Sequence, residues 1–467
     1  MRPVFLFDSL SGKKELVENS KGKPLRVFVC GPTVYDYPHI GNARTYLIFD
    51  ALVKFLRSQS IKVFYLQNIT DVDDKIIARA ENEKMDWKKI SKKFFEVYRR
   101  NMKQLGIDSV TKYAPATKFI PAITKQVQKL LEKGNAYKID GDGYYFDIST
   151  FPDYGKLAKR TAEQAEDGVS RIDQSINKKN KGDFALWKFS KPGEPSWKSS
   201  LGAGRPGWHI EDTAISEHFF GPQYDLHGGA MDLKFPHHEA EIAQQESASG
   251  KKPFVKIWVH VGFLTANGEK MSKSLGNFVT IEDFLKKHPA EVLRMITLSH
   301  HYRSPLNYTD ELAQENLKRW QSILEFLGKL DFVSKNFRKV NTDNFSAAET
   351  LINFERKFLE SLGDDFGTPG AMAEIFSLIN TINPNVYKLD KSEANGLIKK
   401  IRWSLKILGL KPVLPKTPAK VAVLAKKREK FRVSKQFVQS DGLRKEINDL
   451  GFEVEDTSLG PFTWPRE

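Results

Sequence analysis

The residues best suited to chemistry in this 467-residue chain fall in two short stretches. Pro38-His39-Ile40-Gly41-Asn42 follows an apolar, β-prone run, PLRVFVC from Pro24 to Cys30, and opens a helical pattern. Such a turn offers backbone N–H groups and the positive end of a helix to a phosphate, and Gly41 lets the backbone come close. His39 can donate to charge developing on an α-phosphate, although residues of these types more often make an ordinary capped turn. Lys270-Met271-Ser272-Lys273-Ser274 lies in GEKMSKSLGNFVT, just past the last β-prone run. Its two lysines can close over a triphosphate and stabilise charge on departing pyrophosphate. A lone basic loop is ordinarily solvated surface; its pairing with the upstream turn is what gives it weight.

A metal is a second possibility. His237 and Glu241 stand four apart in the helical pattern PHHEAEIAQQES, and Cys30, the one cysteine, ends the first β-prone run. Read alone, most i,i+4 pairs are surface contacts and a single cysteine is a small buried apolar group. One cysteine also excludes intramolecular disulfides and a cysteine-rich zinc cluster. Gly202 to Gly207 spells GxGxxG, the dinucleotide fingerprint. A polar, Pro-containing stretch precedes it and no long helical pattern follows Pro206, so it reads as a loop that positions Trp208.

Periodicity supplies the elements that must carry these groups. PLRVFVC, then NARTYLIFDALVKFLRSQ with Ile48, Leu52, Phe55 and Leu56 at helical spacing, then KVFYLQNIT, read as strand, helix, strand and predict a parallel sheet. Turns and aromatic clusters from about Gly106 to Gln223 break that rhythm as an insertion, after which QYDLHGG, PHHEAEIAQQES and KIWVHVGFLT (Lys256 to Thr265) resume it. Pro289 to Leu410 reads as an antiparallel helical bundle, KPVLPKTPAK as a stiff linker, and the remainder as a small tethered module. In that module AKKREKFRVSKQFVQSDGLRKEI gathers cations on one helix, with Phe431 and Phe437 for packing.

Lysine and arginine outnumber aspartate and glutamate by 73 to 58, a net charge of +15, which suits a polyanionic partner and equally suits a basic proteome. The 40% hydrophobic content is too high for disorder. The absence of any apolar run of membrane-spanning length, or of an apolar core in MRPVFLFDSLSGKKE, makes a soluble cytoplasmic protein the expectation.

The turn and the lysine loop together resemble the HIGH and KMSKS signatures of the class I aminoacyl-tRNA synthetases. Asn42 departs from the last His of HIGH, but an Asn side chain can still donate to phosphate. Within that class, VFVCGPTVYDYPHIGNART, DFALWK, GRPGWHIED, HGGAMDLKFPHHEAEIAQ, DDFGTPGAM and SDGLRKEINDLGFEVEDT, in this order, are similar to the blocks of the cysteinyl-tRNA synthetases over essentially the whole chain. The resemblance implies an α/β fold: a Rossmann-type parallel-sheet catalytic domain in two halves (1–105 and 224–288, the latter with the KMSKS loop), split by a connective insertion (106–223). A helical bundle (289–410), a linker (411–418) and a C-terminal anticodon-binding module (419–467) would follow. It makes His39, Asn42, Lys270 and Lys273 catalytic, joined around ATP by Gly41, Gly229 and Asp232. It places Gly31, Thr33, Thr70, Trp208, His227 and His260 around the amino acid.

Members of that family hold zinc through two Cys, a His and a Glu, and the zinc takes the substrate thiolate. Cys30, His237 and Glu241 match three of these ligands. Where the family usually reads WHIEC, this chain reads Trp208-His209-Ile210-Glu211-Asp212, so Asp212 stands in the cysteine position. Aspartate keeps the charge and is an accepted zinc ligand, but it is harder than sulfur. The expectation is one zinc per chain on Cys30, Asp212, His237 and Glu241, with Mg-ATP as substrate. A thiol ionises near pKa ~8.5 and a serine hydroxyl hardly at all, so a metal can separate two amino acids that packing cannot. The implied partners are tRNA(Cys), ATP and L-cysteine, with the chain a monomer. Two rivals share these motifs: a tRNA-independent ligase that passes cysteine to an amino-sugar, and an inactive paralogue that binds RNA.

Overall fold

A computed structural model of the chain describes residues 3–19, 22–160, 177–271, 276–336 and 347–466. They divide into two compact units, Met1–Thr309 with Gly363–Phe366, and Asp310–Leu362 with Gly367–Glu467.

In the first unit, β1 (Phe5–Phe7) and β2 (Lys14–Leu16) pair antiparallel. β3 (Leu25–Val29) leads through a Gly/Pro turn into α1 (Ile40–Ser58), and β4 (Val63–Ile69) follows. These three are buried along most of their length, as strands and helices inside an α/β layer must be. α2 (Asp74–Glu83) and α3 (Trp87–Gln104) come next, capped by Asp73 and Asp86, whose side chains accept from the N–H groups of Lys75 and Lys88. β5 (Lys112–Pro115) and α4 (Ile120–Glu132) precede an antiparallel sheet of β6 (Ala136–Ile139), β7 (Gly143–Phe146), β8 (Phe184–Phe189) and β9 (Gly204–Pro206). Then come α5 (Trp208–Phe220), β10 (Tyr224–Ala230), α6 (His237–Ser249) and β11 (Val255–Val261).

Among the described residues, β11-β10-β3-β4-β5 make one parallel sheet in that order. The chain builds from β3 toward β5 in one direction and, after the inserted sheet, from β10 to β11 in the other. The order therefore reverses between β3 and β10, and open α/β sheets bind ligands beyond the carboxyl ends of the strands at such a crevice.

Two expectations need correction here. KIWVHVGFLT is not one strand: it splits at Gly262 into β11 and β12 (Leu264–Ala266). Gly262 N–H donates to Tyr302 O at 2.8 Å, and a Cβ at Gly262 would lie 2.4 Å from Ser304 O, so the backbone turns out of the sheet to follow that segment. The buried Arg44 of α1 fixes the turn by donating to Gly262 O and Phe263 O. The GxGxxG stretch is likewise more ordered than a loop: Gly204–Pro206 is β9, paired antiparallel with β8, and Trp208 starts the 13-residue α5. Its strand partner and its turn are still not those of a dinucleotide site. β13 (Glu269–Lys270), α7 (Ile281–Lys287), α8 (Ala290–Leu298) and β14 (Leu306–Tyr308) complete this unit, with β13-β12-β14 forming a small sheet.

The second unit holds α9 (Asp310–Asn336), α10 (Ala348–Gly363), α11 (Thr368–Ile382), α12 (Lys391–Ile407), α13 (Ala419–Val433), α14 (Phe437–Asp449), β15 (Phe452–Thr457) and β16 (Gly460–Pro465). The basic C-terminal stretch is two helices rather than one, broken where Lys435 takes a left-handed φ of 58°. Phe431 is half-buried, but Phe437 is 60% exposed and does not pack. Nor does this part hang from its linker. Phe462 meets Phe332 edge-on at 5.6 Å, the Trp464 ring sits over Gly328, and Lys329 pairs with Glu455 at 3.1 Å, so the β15–β16 hairpin is seated on α9. Among the described residues no helix is long and apolar enough to cross a membrane.

Candidate active site

The phosphate-directed groups sit at the start of α1. His39 is its N-cap, accepting the Gly41 N–H on Nδ1 at 3.1 Å, while Asn42 Oδ1 accepts the His39 N–H at 3.2 Å. Asn42 is thereby left with its Nδ2 amide as the outward donor. Burial holds the His39 pKa down to about 4, against an opposing pull from nearby Asp232. The segment after the lysine loop is stitched to this turn: Ile40 N–H donates to Val279 O, Ile281 N–H to Pro38 O, each at 3.0 Å, and Phe278 packs edge-on to His39. Lys270 is exposed on β13, and Met271 reaches the face of Gly41. Lys273 lies outside the described residues.

A second cluster lies past the carboxyl ends of β3 and β10. Cys30 Sγ is 3.3 Å from Asp212 Oδ2 and 3.8 Å from Glu241 Oε1, and His237 Nε2 is 3.0 Å from Asp212 and 3.2 Å from Glu241. All four are buried. In a tetrahedral zinc site with bonds of roughly 2.0–2.3 Å, neighbouring donors are roughly 3.3–3.8 Å apart; the two Cys30 distances fall in that range and the two His237 distances fall just short of it, a spacing close to what an ion needs. Asp212 Oδ1 and Glu241 Oε2 are buried without a hydrogen-bond partner, the expected condition of carboxylates placed for a cation rather than for protein donors. Burial, and then the charges of Glu241 and Asp212, push the Cys30 thiol well above its usual range, and burial followed by Asp212 does the same to Glu241. A dication among these donors reverses that balance.

The structure also gathers the residues expected around an amino acid. Thr33 and Thr70 bridge at the ends of β3 and β4, and Gly31 is pressed so closely on β4 that a Cβ would lie 1.7 Å from Asn68 O. Thr70 Oγ1 donates to Glu211, whose carboxyl is pushed well up by burial and by Asp212. Trp208 is 39% exposed and stacks on His237 at 4.1 Å between ring centroids. His227 turns Nε2 to Cys30 Sγ at 3.3 Å, and His260 stands one layer back. Gly229, one residue before the end of β10, lies against the ring of His238.

His238 is the residue the sequence reading missed. Its Nε2 is 3.2 Å from Cys30 Sγ and its Nδ1 is 2.9 Å from His260 Nε2. The signal was present in PHHEAE, where two adjacent histidines stand three and four residues before Glu241. Glu211, Tyr224 and His209, which support Thr70, His227 and His237, were also not singled out.

The family described as tRNA synthetases class I (C) catalytic domain matches residues 16–318, and the DALR domain family matches 357–411. The catalytic-domain match covers more than half of the chain and makes it a class I aminoacyl-tRNA synthetase. The fold is shared with methionyl-tRNA synthetase of Mycobacterium tuberculosis bound by methionyl-adenylate (TM-score 0.59, 16% identity, 83% of this chain and 89% of that one). It is shared also with the Agrobacterium radiobacter K84 agnB2 LeuRS in its ternary complex (TM-score 0.62, 12% identity, 83% of each). The chain is 39% identical to the cysteine–tRNA ligase of Thermococcus gammatolerans, over 99% of both chains. It is 41% identical to that of Thermoplasma volcanium, over 97% of this chain and 98% of the relative. It belongs to the cysteinyl-tRNA synthetase family.

Proposed function

We propose that this chain charges tRNA(Cys) with L-cysteine in two steps. The cysteine carboxylate attacks the α-phosphorus of Mg-ATP, the bond to the bridging oxygen breaks, and pyrophosphate leaves with the charge. A ribose hydroxyl at the tRNA 3′ end then attacks the adenylate carbonyl and AMP departs. The observation that best supports this reading is that Cys30 and His39 stand at opposite ends of one turn beside the switch point. One end offers metal-ligand chemistry and the other offers phosphate donors.

In this reading His39 Nε2–H and the Asn42 amide donate to the α-phosphate, with Gly41 giving close backbone approach. Lys270 and Lys273 stabilise the departing pyrophosphate, and Gly229 and Asp232 line the ATP side. Gly31, Thr33, Thr70, Trp208, His227 and His260 enclose the amino acid. Zinc on Cys30, Asp212, His237 and Glu241 would supply a Lewis acid that takes a thiolate in preference to a hydroxyl. The two sheet halves and the insertion would serve activation, and the helical bundle and C-terminal module tRNA binding, in a cytoplasmic monomer. The deciding experiment is ATP–pyrophosphate exchange with cysteine and, in parallel, serine, followed by charging of tRNA. Exchange that cysteine does not stimulate removes the reading, and cysteine activation without charging redirects it to a different acceptor.

A further inference from the structure

The donor cluster contains more ligands than one tetrahedral ion needs. Among the described residues, two overlapping groups of four present donor atoms within 4.8 Å of one another: Cys30, Asp212, His237 and Glu241, and Cys30, His227, His238 and Glu241. We propose that the second group is a second position for the divalent ion. We further propose that, with Asp212 in place of a thiolate, it is the tighter position when no amino acid is bound. This rests on the reading above only in requiring an ion in the pocket.

Three observations support it. First, Cys30 Sγ lies 3.3 Å from His227 Nε2 and 3.2 Å from His238 Nε2, distances matching those to the Asp212 group. Second, both imidazoles are held as metal ligands are held, with Nε2 turned inward and Nδ1 engaged outside. His227 Nδ1 meets Tyr224 Oη at 2.6 Å. His238 Nδ1 meets His260 Nε2 at 2.9 Å, and His260 Nδ1 in turn meets Ser9 Oγ at 2.8 Å. If His238 binds an ion through Nε2, its Nδ1–H donates to His260, and His260 Nδ1–H donates to Ser9, so one consistent set of tautomers runs from the pocket outward. Third, Glu241 is fully buried, and its Oε2 lacks a hydrogen-bond partner; it lies 3.5 Å from His227 Nδ1, the ring nitrogen that Tyr224 also engages, so His227 Nε2 is left to face Cys30.

Donor type decides between the two positions. The Asp212 group offers one sulfur, one nitrogen and two carboxylates; the histidine group offers one sulfur, two nitrogens and one carboxylate. Imidazole suits zinc, cobalt and nickel, whereas carboxylate suits magnesium, calcium and manganese. With a second cysteine at position 212 the first position would have the extra sulfur and the advantage. With aspartate there, the nitrogen-rich position has it.

The test uses the full chain, stripped by a chelator and titrated with Co²⁺ alone, without cysteine or ATP. It reads affinity by chelator competition and coordination by the visible ligand-field bands. His227→Gln and His238→Gln should each weaken binding at least about tenfold, since groups one layer out already cost about that much, and Asp212→Asn by less than about threefold. The histidine variants should shift the bands and Asp212→Asn should leave them in place. Loss of cobalt in Asp212→Asn with wild-type affinity in both histidine variants would overturn the proposal. Equal losses in all three would also overturn it, because they describe one shared shell. Should a histidine variant unfold, Asp212→Asn decides alone: retained affinity and bands uphold the second position and their loss refutes it. A wild-type chain that takes up no cobalt defeats both this inference and the metal reading, while cysteine-dependent pyrophosphate exchange still judges the ligase reading separately.

Discussion

His39 Nδ1 accepts the backbone N–H of Gly41 at 3.1 Å, so the contact that caps α1 also places the proton of the neutral ring on Nε2. Burial lowers the pKa to about 4, below that of a free imidazole, so acid protonates this ring more readily in the unfolded chain. The ring is neutral in both states above about pH 6.5, and stability is lost as pH falls from there toward 4. The His39 imidazole C–H resonance should titrate with a midpoint near pH 4; a midpoint near 6.5 would contradict the buried, capped ring. His39→Ala should slow adenylate formation by about 10²–10³-fold, measured by pyrophosphate exchange.

Lys273→Ala should slow adenylate formation to a similar degree, about 10²–10³-fold, because one preorganised cation is removed from the departing pyrophosphate. Its melting temperature should match that of the parent. Near-parental exchange at saturating ATP would rule out the assigned role.

Asp212→Cys restores a second sulfur, which favours zinc more than carboxylate oxygen does. At fixed chelator, the variant should retain more zinc than the parent, and its cobalt form should show stronger sulfur-to-metal charge transfer. Unchanged retention would place Asp212 outside the coordination shell.

Removing the residues after Leu414 should leave cysteine-dependent exchange intact while weakening tRNA charging and flattening the salt dependence of tRNA binding, since each lost phosphate contact lowers that slope. The lost cations include the exposed Lys426, Lys427 and Lys430; Arg428, Arg432 and Arg444 converge on Asp456 instead. Because β15–β16 covers Gly328 and Phe332 of α9, the second unit should also melt at lower temperature. Loss of exchange together with charging would make this segment part of the catalytic fold.

β3, α1 and β4 were legible in the sequence because their apolar residues recur at the periods of strand and helix, and the turn between them carries its own Gly and Pro. The split of β11 from β12 was not, since its cause, the backbone of Tyr302–Ser304, is distant along the chain. The seating of Trp464 on Gly328 was hidden for the same reason. His238 was hidden by a different assumption. His237 and His238 both share a helix face with Glu241, at i,i+4 and i,i+3 spacing, but only the spacing of four matched the family's ligands; α6 is buried almost all round, so both imidazoles need partners. Thr70, Trp208, His227 and His260 lie far apart in sequence, and only the resemblance to a family drew them together before the fold did.

Cys30 is separated from Asp212 by 182 residues and from Glu241 by 211. During synthesis the thiol emerges first; Asp212 of α5 follows only after the inserted sheet, and the donors of α6 later still. Closing loops of that length costs entropy and takes time, because the contacts that reward it form only after most of the first unit is in place. In a zinc finger the ion gathers a short loop and drives its folding. Here the order would be inverted: an ion would meet a nearly finished chain, and a nascent or truncated chain ending before Glu241 can carry neither of the two four-donor groups.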